Sequence, residues 1–242
     1  MATAKAVVFD FNGTLFFDYQ ENKDGWNEIS LLYRGRPFED AEYDSMMGMT
    51  DPMCVRKMLG DLPASTCKAS DLPAERLPKR GLTDERITEI ANQKEEIYLR
   101  LCKERRLTLE PNAVRFIQKL KADSIKVLIA SSAPKINMDW YYDNLGLKDL
   151  FTRDYVIASP KDLPSKPNPD IFQYTLKVAQ VAPEDAICFE DAPNGLRAAL
   201  ATPFKKVYGI ESPGFDNTIQ RTLAPMINWD YALEHYQEII SL

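Results

Sequence analysis

The sequence predicts an α/β fold: a doubly wound, mostly parallel, Rossmann-like sheet with a helical domain inserted after the first strand. Three observations predict it. Short apolar segments rich in Val, Ile and aromatic residues alternate with segments of helical periodicity. The alternation stops between residues 17 and 108, where only helical patterns are found. Polar residues follow four of the apolar segments. Because strands joined by helices run parallel, we expect helices on both faces of the sheet.

Five strands are expected, since each apolar segment is too short for an ordinary helix. They are KAVVF, IKVLIA, DYVIA, DAICF and KKVYGI. Helices are expected from EPNAVRFIQKLKAD, INMDWYYDNLG, PDIFQYTLKVA and NGLRAALA, which lie between those strands. Right-handed crossovers would bring the carboxyl ends of the strands to one edge of the sheet.

The insertion, residues 17–108, is predicted to be a helical domain, and residues 1–16 with 109–242 are predicted to form the α/β core. Its clearest helix is ERITEIANQKEEIYLRL, whose apolar residues recur along one face. Lys94 falls on that stripe, so it either snorkels to the helix edge or points at an anion. The stretch DLPASTCKASDLPAERLPKRG is expected to be a surface loop.

Composition excludes several classes of function. The formal net charge of −6 argues against a nucleic-acid partner. No apolar run approaches the roughly 18 residues of a membrane-spanning helix, and no signal-peptide pattern opens the chain. We therefore expect a cytoplasmic protein with no membrane partner. A monomer is the expected oligomeric state. The single histidine excludes a His-based triad, and the 4 cysteines lack CxxC spacing and are expected to be packing thiols.

Polar side chains follow four of the predicted strands, at the edge where carboxyl ends should meet. In chain order they are Asp10, Ser131 and Ser132, Lys166, and Glu190 with Asp191. Carboxylates brought together repel one another and need a cation, and an all-oxygen set suits Mg²⁺. Lysine and serine can hold a phosphate, and a carboxylate can attack phosphorus. The set predicts Mg²⁺-dependent phosphoryl transfer from a small phosphorylated metabolite.

These segments resemble the motifs of the haloacid dehalogenase superfamily, in the branch that holds β-phosphoglucomutase and phosphoglycolate phosphatase. DFNGTLF resembles the first motif, IASS the second, SKPNPDIF the third and CFEDAPNGLRAA the fourth. The insertion matches the position of that branch's helical cap. The resemblance implies a hydrolase with the core fold of that superfamily, acting as a phosphatase.

The resemblance also implies roles for the metal site. Asp10 would be the nucleophile and a Mg²⁺ ligand, and Asn12 would lend its backbone carbonyl to the metal. Asp191 would bind Mg²⁺, and Glu190 would either bind it or hold its water.

Further roles concern the phosphoryl group and the substrate. Ser131 would bind the transferring group, and it is preferred to Ser132 because it directly follows the strand. Lys166 would bridge the phosphoryl group and the carboxylates. Lys94 corresponds to a cap lysine that reaches the substrate, and it could also form an imine, as in the phosphonate-cleaving members.

Asn12 departs from the family pattern, which usually has Asp there as general acid and base. An amide cannot exchange a proton at neutral pH, and such assistance is worth about 10²–10⁴ in rate. The chain is therefore either a slowed phosphatase, an enzyme for good leaving groups such as acyl phosphates, a chain that accumulates the aspartyl-phosphate, or a phospho-ligand binding protein. We expect Asn12→Asp to raise a phosphatase rate about 10²-fold or more.

Two other activities of the superfamily fit less well. The stretch MMGMTDPMCVRKML resembles the place where sugar-phosphate mutases carry an Arg for a second phosphate, but Asp51 stands there. An acid repels phosphate, which argues against a mutase unless Arg56 substitutes. A metal-free dehalogenase would leave Glu190 and Asp191 unexplained.

Overall fold

The computed structural model describes residues 3–46, 49–60, 83–158, 163–214 and 216–241. It divides the chain into two units: unit 1 is Met1–Tyr19 with Leu107–Leu242, and unit 2 is Gln20–Arg106. The Pro-rich stretch that was predicted to be a surface loop lies outside the described residues. Among the described residues, no helix combines the length and the apolar character that crossing a membrane requires.

Unit 1 is built on a six-stranded parallel sheet. The strands are β1 (Ala6–Phe9), β2 (Lys126–Ser131), β3 (Val156–Ala158), β4 (Ala186–Glu190), β5 (Lys206–Ile210) and β6 (Met226–Ile227). Their order across the sheet is β3-β2-β1-β4-β5-β6. The α/β fold class and the five expected strands are confirmed. β6 was not predicted, because two residues are too few to show a periodic pattern.

The helices of the described residues follow in chain order. They are α1 (Tyr19–Arg34), α2 (Asp40–Asp44), α3 (Asp51–Gly60), α4 (Asp84–Glu104), α5 (Pro111–Ala122), α6 (Lys135–Asn144), α7 (Leu147–Leu150), α8 (Asp170–Ala179), α9 (Pro193–Leu200), α10 (Thr218–Arg221), α11 (Trp229–Glu234) and α12 (Tyr236–Ile240). In the described part of unit 2 the elements are helices without strands, as the sequence predicted.

The central strands β1 and β4 are buried along their whole length, since helices cover both faces of the sheet. Successive residues of a strand face opposite sides. On one side Phe9 stacks on Phe189 at 5.5 Å between ring centroids, and Trp229 lies 5.2 Å from Phe189. On the other side Val8 packs in a cluster with Phe172. Unit 1 thus holds the ends of β1 and β4 rigidly.

Unit 2 is organised around α4, which begins after Thr83, whose side chain accepts a hydrogen bond from the Arg86 N–H. The apolar stripe expected from the sequence is buried, including Ile87, Ile90 and Leu101. Arg105 follows the end of α4 and forms ion pairs with Glu21 and Asp24 of α1, in the same unit.

Candidate active site

The loop after β1 is a tight turn that begins at Asp10. The Asp10 N–H donates to the Phe189 carbonyl at 2.9 Å, so the residue continues the edge of the sheet. The Phe11 carbonyl then accepts N–H groups from residues 14, 15 and 16. Gly13 has a φ of +79°, and a Cβ there would overlap the Asp191 carboxylate. Only glycine meets both the left-handed backbone and the close approach.

Three carboxylates meet at this edge of the sheet. Oxygen atoms of Asp10, Glu190 and Asp191 lie within 4.8 Å of one another, and all three residues are buried. The register explains the meeting, because Phe9 pairs with Phe189 and the next residues are therefore neighbours. Thr14 donates its hydroxyl to Asp191 at 3.1 Å, and the backbone N–H of residue 192 donates to Glu190 at 2.6 Å.

Lys166 is the cation of this cluster. Its Nζ donates to Asp10 Oδ1 at 2.6 Å, to Glu190 Oε1 at 2.8 Å and to the Ala130 carbonyl at 3.1 Å. The ammonium also lies 4.8 Å from the centroid of the Phe172 ring. One ammonium against three carboxylates leaves two negative charges when all three carboxylates are ionised.

Burial and these charges set the pKa values of the cluster. Burial raises the pKa of Glu190 to about 7, with Asp10 adding to the rise and Lys166 opposing it. Burial, with the charges of Glu190 and Asp10, also raises the pKa of Asp191 well above its usual range. Burial alone would lower the pKa of Lys166, but the two carboxylates outweigh it and raise that pKa. The lysine therefore stays charged, and a further cation would favour ionised carboxylates.

The donor set fits Mg²⁺. It consists of carboxylate oxygens, which carry two uncompensated charges when all three acids are ionised, and Mg²⁺ prefers oxygen ligands and few protein groups. The cluster also needs a small residue beside it. A Cβ at Gly195, in the first turn of α9, would overlap the Glu190 carboxylate. Asp10, Glu190 and Asp191 are the described side chains that could hold the ion.

The two serines differ in their surroundings. Ser131 is the last residue of β2, which pairs with β1, and it is 1% exposed. Its Oγ accepts the Ala133 N–H at 3.1 Å. Ser132 is exposed. The structure therefore brings Ser131 to the edge of the sheet that carries Asp10.

Asn12 makes side-chain contacts that its sequence position did not predict. Its Nδ2 donates to Asp18 Oδ2 at 2.7 Å and to the Tyr141 hydroxyl at 3.2 Å. Asp18 is 4% exposed, and Tyr141 is fully buried in α6.

Lys94 lies in unit 2 and is 4% exposed, so it does not snorkel to the helix edge. Its Nζ lies 2.8 Å from Glu95 Oε1 and 3.7 Å from Asp51 Oδ1. The ammonium also faces the rings of Trp26 at 5.3 Å and Tyr98 at 5.0 Å. In the described part of unit 2, then, Lys94 lies beside two carboxyl groups of the chain itself.

Sequence reasoning missed several residues of the site. Thr14 and Gly195 lie inside the first and fourth motifs, and their short spacing from the acids was a usable signal. Trp229, whose Nε1 donates to the Thr14 carbonyl at 2.9 Å, and Tyr141 are far away in sequence, and nothing local points to them.

Comparisons with known proteins agree with this geometry. The family model described as haloacid dehalogenase-like hydrolase matches residues 4–201. A phosphorylated carbohydrates phosphatase of Thermotoga maritima is 24% identical over 206 residues, covering 85% of each chain. The CbbY protein of Cereibacter sphaeroides is 29% identical over 220 residues, covering 87% of this chain and 85% of that one.

A solved structure extends the likeness to nearly the whole chain. It is a haloacid dehalogenase hydrolase of family IA, variant 3, from Entamoeba histolytica, with 25% identity and a TM-score of 0.81. The match covers 98% of this chain and 99% of that one.

Proposed function

Since this chain belongs to the haloacid dehalogenase-like hydrolases, we propose that it is a Mg²⁺-dependent phosphatase of a small phosphorylated metabolite. The observation that carries the proposal is the buried cluster of Asp10, Lys166, Glu190 and Asp191. The name of the relative from Thermotoga maritima, a phosphorylated carbohydrates phosphatase, favours a sugar phosphate as the substrate class.

The proposed reaction has two steps. An oxygen of Asp10 attacks phosphorus, the bond between phosphorus and the leaving oxygen breaks, and an aspartyl-phosphate forms. Water then attacks phosphorus, the bond to the Asp10 oxygen breaks, and inorganic phosphate leaves. Lys166 and Ser131 would hold the phosphoryl oxygens, since phosphoryl transfer depends mainly on positioning and charge neutralisation.

Mg²⁺, held by Asp10, Glu190, Asp191 and the backbone carbonyl of Asn12, would neutralise charge on the phosphoryl oxygens. The remaining residues keep the carboxylates in place. Thr14 fixes Asp191, and the backbone N–H of residue 192 fixes Glu190. The buried surroundings exclude water from the charged pair of Lys166 and Asp10.

Proton transfer is the step for which position 12 offers no acid or base. Asn12 cannot donate a proton to the leaving oxygen or take one from water, so solvent must do both. We propose a slow rate on alkyl phosphates and a faster rate on acyl phosphates, whose leaving group needs no proton. A binding protein without turnover is the alternative that this substitution leaves open.

Unit 2 is proposed to act as the cap that selects the substrate, with Lys94 as a substrate-binding residue. The contacts of Lys94 weigh against a phosphomutase. Its ammonium already pairs with Asp51 and Glu95, so a second phosphate would have to compete with two carboxyl groups for it. Substrates with one phosphate and neutral hydroxyl groups suit this cluster better than bisphosphates.

The test is release of inorganic phosphate from a panel of sugar phosphates and acyl phosphates, with Mg²⁺ and with EDTA. We expect Mg²⁺-dependent release that Asp10→Asn abolishes, because the amide cannot attack phosphorus. Asp143→Asn on the exposed side of α6 is the matched control and should be unchanged. Retained activity in Asp10→Asn would refute the nucleophile. Mg²⁺-dependent binding of phosphate without turnover would identify a binding protein, and activation by a bisphosphate with an isomerised product would identify a mutase.

A further inference from the structure

The amide of Asn12 is held at its nitrogen end. Nδ2 donates to Asp18 Oδ2 at 2.7 Å and to the Tyr141 hydroxyl at 3.2 Å. An amide nitrogen carries two hydrogens, and a carboxylate is an acceptor only. The partner carboxylate therefore sets which way the Asn12 amide faces.

The turn after β1 holds the Asn12–Asp18 contact in place. The Phe11 carbonyl accepts three N–H groups and closes the turn, so the chain brings residue 18 back to residue 12. Tyr141 is held by stacking on Phe11, at 4.7 Å between ring centroids. Asp18 is 4% exposed, so its carboxyl group meets the Asn12 amide largely out of contact with solvent.

We propose that Asp18 is a positioning residue for Asn12 and that the two form an acid–amide pair, with the acid at position 18 instead of position 12. Position 18 carries the carboxylate, and position 12 therefore carries the amide. The inference goes beyond the proposed function and rests on it only for the kinetic measurement below.

A consequence follows for the variant Asn12→Asp. Two carboxylates would then lie within hydrogen-bonding distance where one donor and one acceptor lie now, and like charges repel. The single variant Asn12→Asp should therefore raise the phosphatase rate by much less than the acid–base gain expected from the sequence. Exchanging both residues, in Asn12→Asp with Asp18→Asn, should keep the contact and place the acid at position 12.

The first measurement is the midpoint of thermal unfolding in EDTA at pH 8 for each single variant and for the exchange. We expect Asn12→Asp to lower the midpoint by about 4 °C and the exchange to return it to within about 2 °C of the native value. Asn112 and Asp230 provide the matched control, because the Asn112 Nδ2 donates to Asp230 at 2.6 Å on an exposed surface. There, Asn112→Asp should shift the midpoint by no more than about 1 °C.

The second measurement is kcat and KM on an alkyl phosphate and on an acyl phosphate. We expect the exchange to raise kcat on the alkyl phosphate about 10²-fold over the native chain. The single Asn12→Asp should stay well below that. Asp18→Ala should lower kcat about tenfold with KM unchanged, and Asp18→Asn should recover part of it.

Two results would overturn the proposal: an Asn12→Asp variant as stable as the exchange, or one that gains as much kcat alone. If no variant hydrolyses any phosphate, including the native chain, the proposed function fails. The unfolding midpoints still decide the Asn12–Asp18 pair in that case.

Discussion

At the scale of single residues, the site depends on the balance of charge around Lys166. Its ammonium touches two of the three clustered carboxylates, and all of these groups are buried. Water screens such charges poorly, so each ionic partner matters more than it would on the surface. The lysine thus holds the carboxyl groups of Asp10 and Glu190 in their orientations.

Removing this ammonium should destabilise the fold. We expect Lys166→Met to lower the free energy of unfolding by about 3–5 kcal/mol in EDTA, because buried carboxylates lose their cation. Added Mg²⁺ should recover part of the loss. Urea unfolding measures both effects.

Lys135→Met is the control for that variant, since Lys135 pairs with Asp139 on the surface. An exposed pair of this kind is worth about 0–1 kcal/mol. A Lys166 variant that behaves like the Lys135 variant would contradict the proposed role of charge balance.

At the scale of elements, the loop after β1 is held by a helix from the far end of the sequence. Trp229, at the start of α11, donates its indole N–H to the Thr14 carbonyl at 2.9 Å. The same ring packs on Phe9 and Phe189 in the sheet. The position of Thr14, and through it of Asp191, therefore depends on α11.

Trp229→Phe tests this link. Phenylalanine keeps a packing ring but leaves the buried Thr14 carbonyl without its donor, which costs about 1–3 kcal/mol. We expect urea unfolding to report a loss in that range, together with weaker Mg²⁺ binding. Trp140→Phe in α6 is the control, because Trp140 lies at 5.9 Å from Tyr141 and is only partly buried. Equal losses in the two variants would argue against a specific role of the indole N–H.

At the scale of the whole molecule, each of the two units contains buried cysteine thiols. Cys54 and Cys102 lie in unit 2 and Cys188 lies in β4 of unit 1, and all three are buried. This confirms the packing role for these three, while Cys67 lies outside the described residues. Burial raises the pKa of Cys54 to about 12 and raises the pKa of Cys188 well above its usual range.

These thiols should react slowly in the native protein. Thiolate is the reactive form, so a raised pKa keeps Cys54 and Cys188 protonated and unreactive across pH 7–9. In a Cys67→Ser background we expect almost no colour with an aromatic disulfide reagent at pH 8, and three thiols per chain after unfolding in urea. Rapid reaction of any thiol in the native state would show that its unit opens.

Much of the fold was predictable because its signals are local. Strand and helix periodicity can be recognised within about ten residues, and it located five strands and the helical insertion. Asp10, Ser131, Lys166, Glu190 and Asp191 were singled out because each comes after an apolar segment that reads as a strand. β6 was missed since two residues carry no period, and the Asn12–Asp18 contact was missed since it needs the turn between them to close.

By itself the sequence determined the α/β class, the inserted helices and the residue types at the strand ends, since local patterns encode these. Tertiary structure alone decided what those residues do to one another. It made Lys166 the partner of Asp10 and Glu190, gave Lys94 two carboxylates of its own unit, and placed Trp229 against Thr14. The reason is physical: hydrogen bonds and charge balance depend on distances between atoms, and only the folded chain brings residues far apart in sequence within those distances.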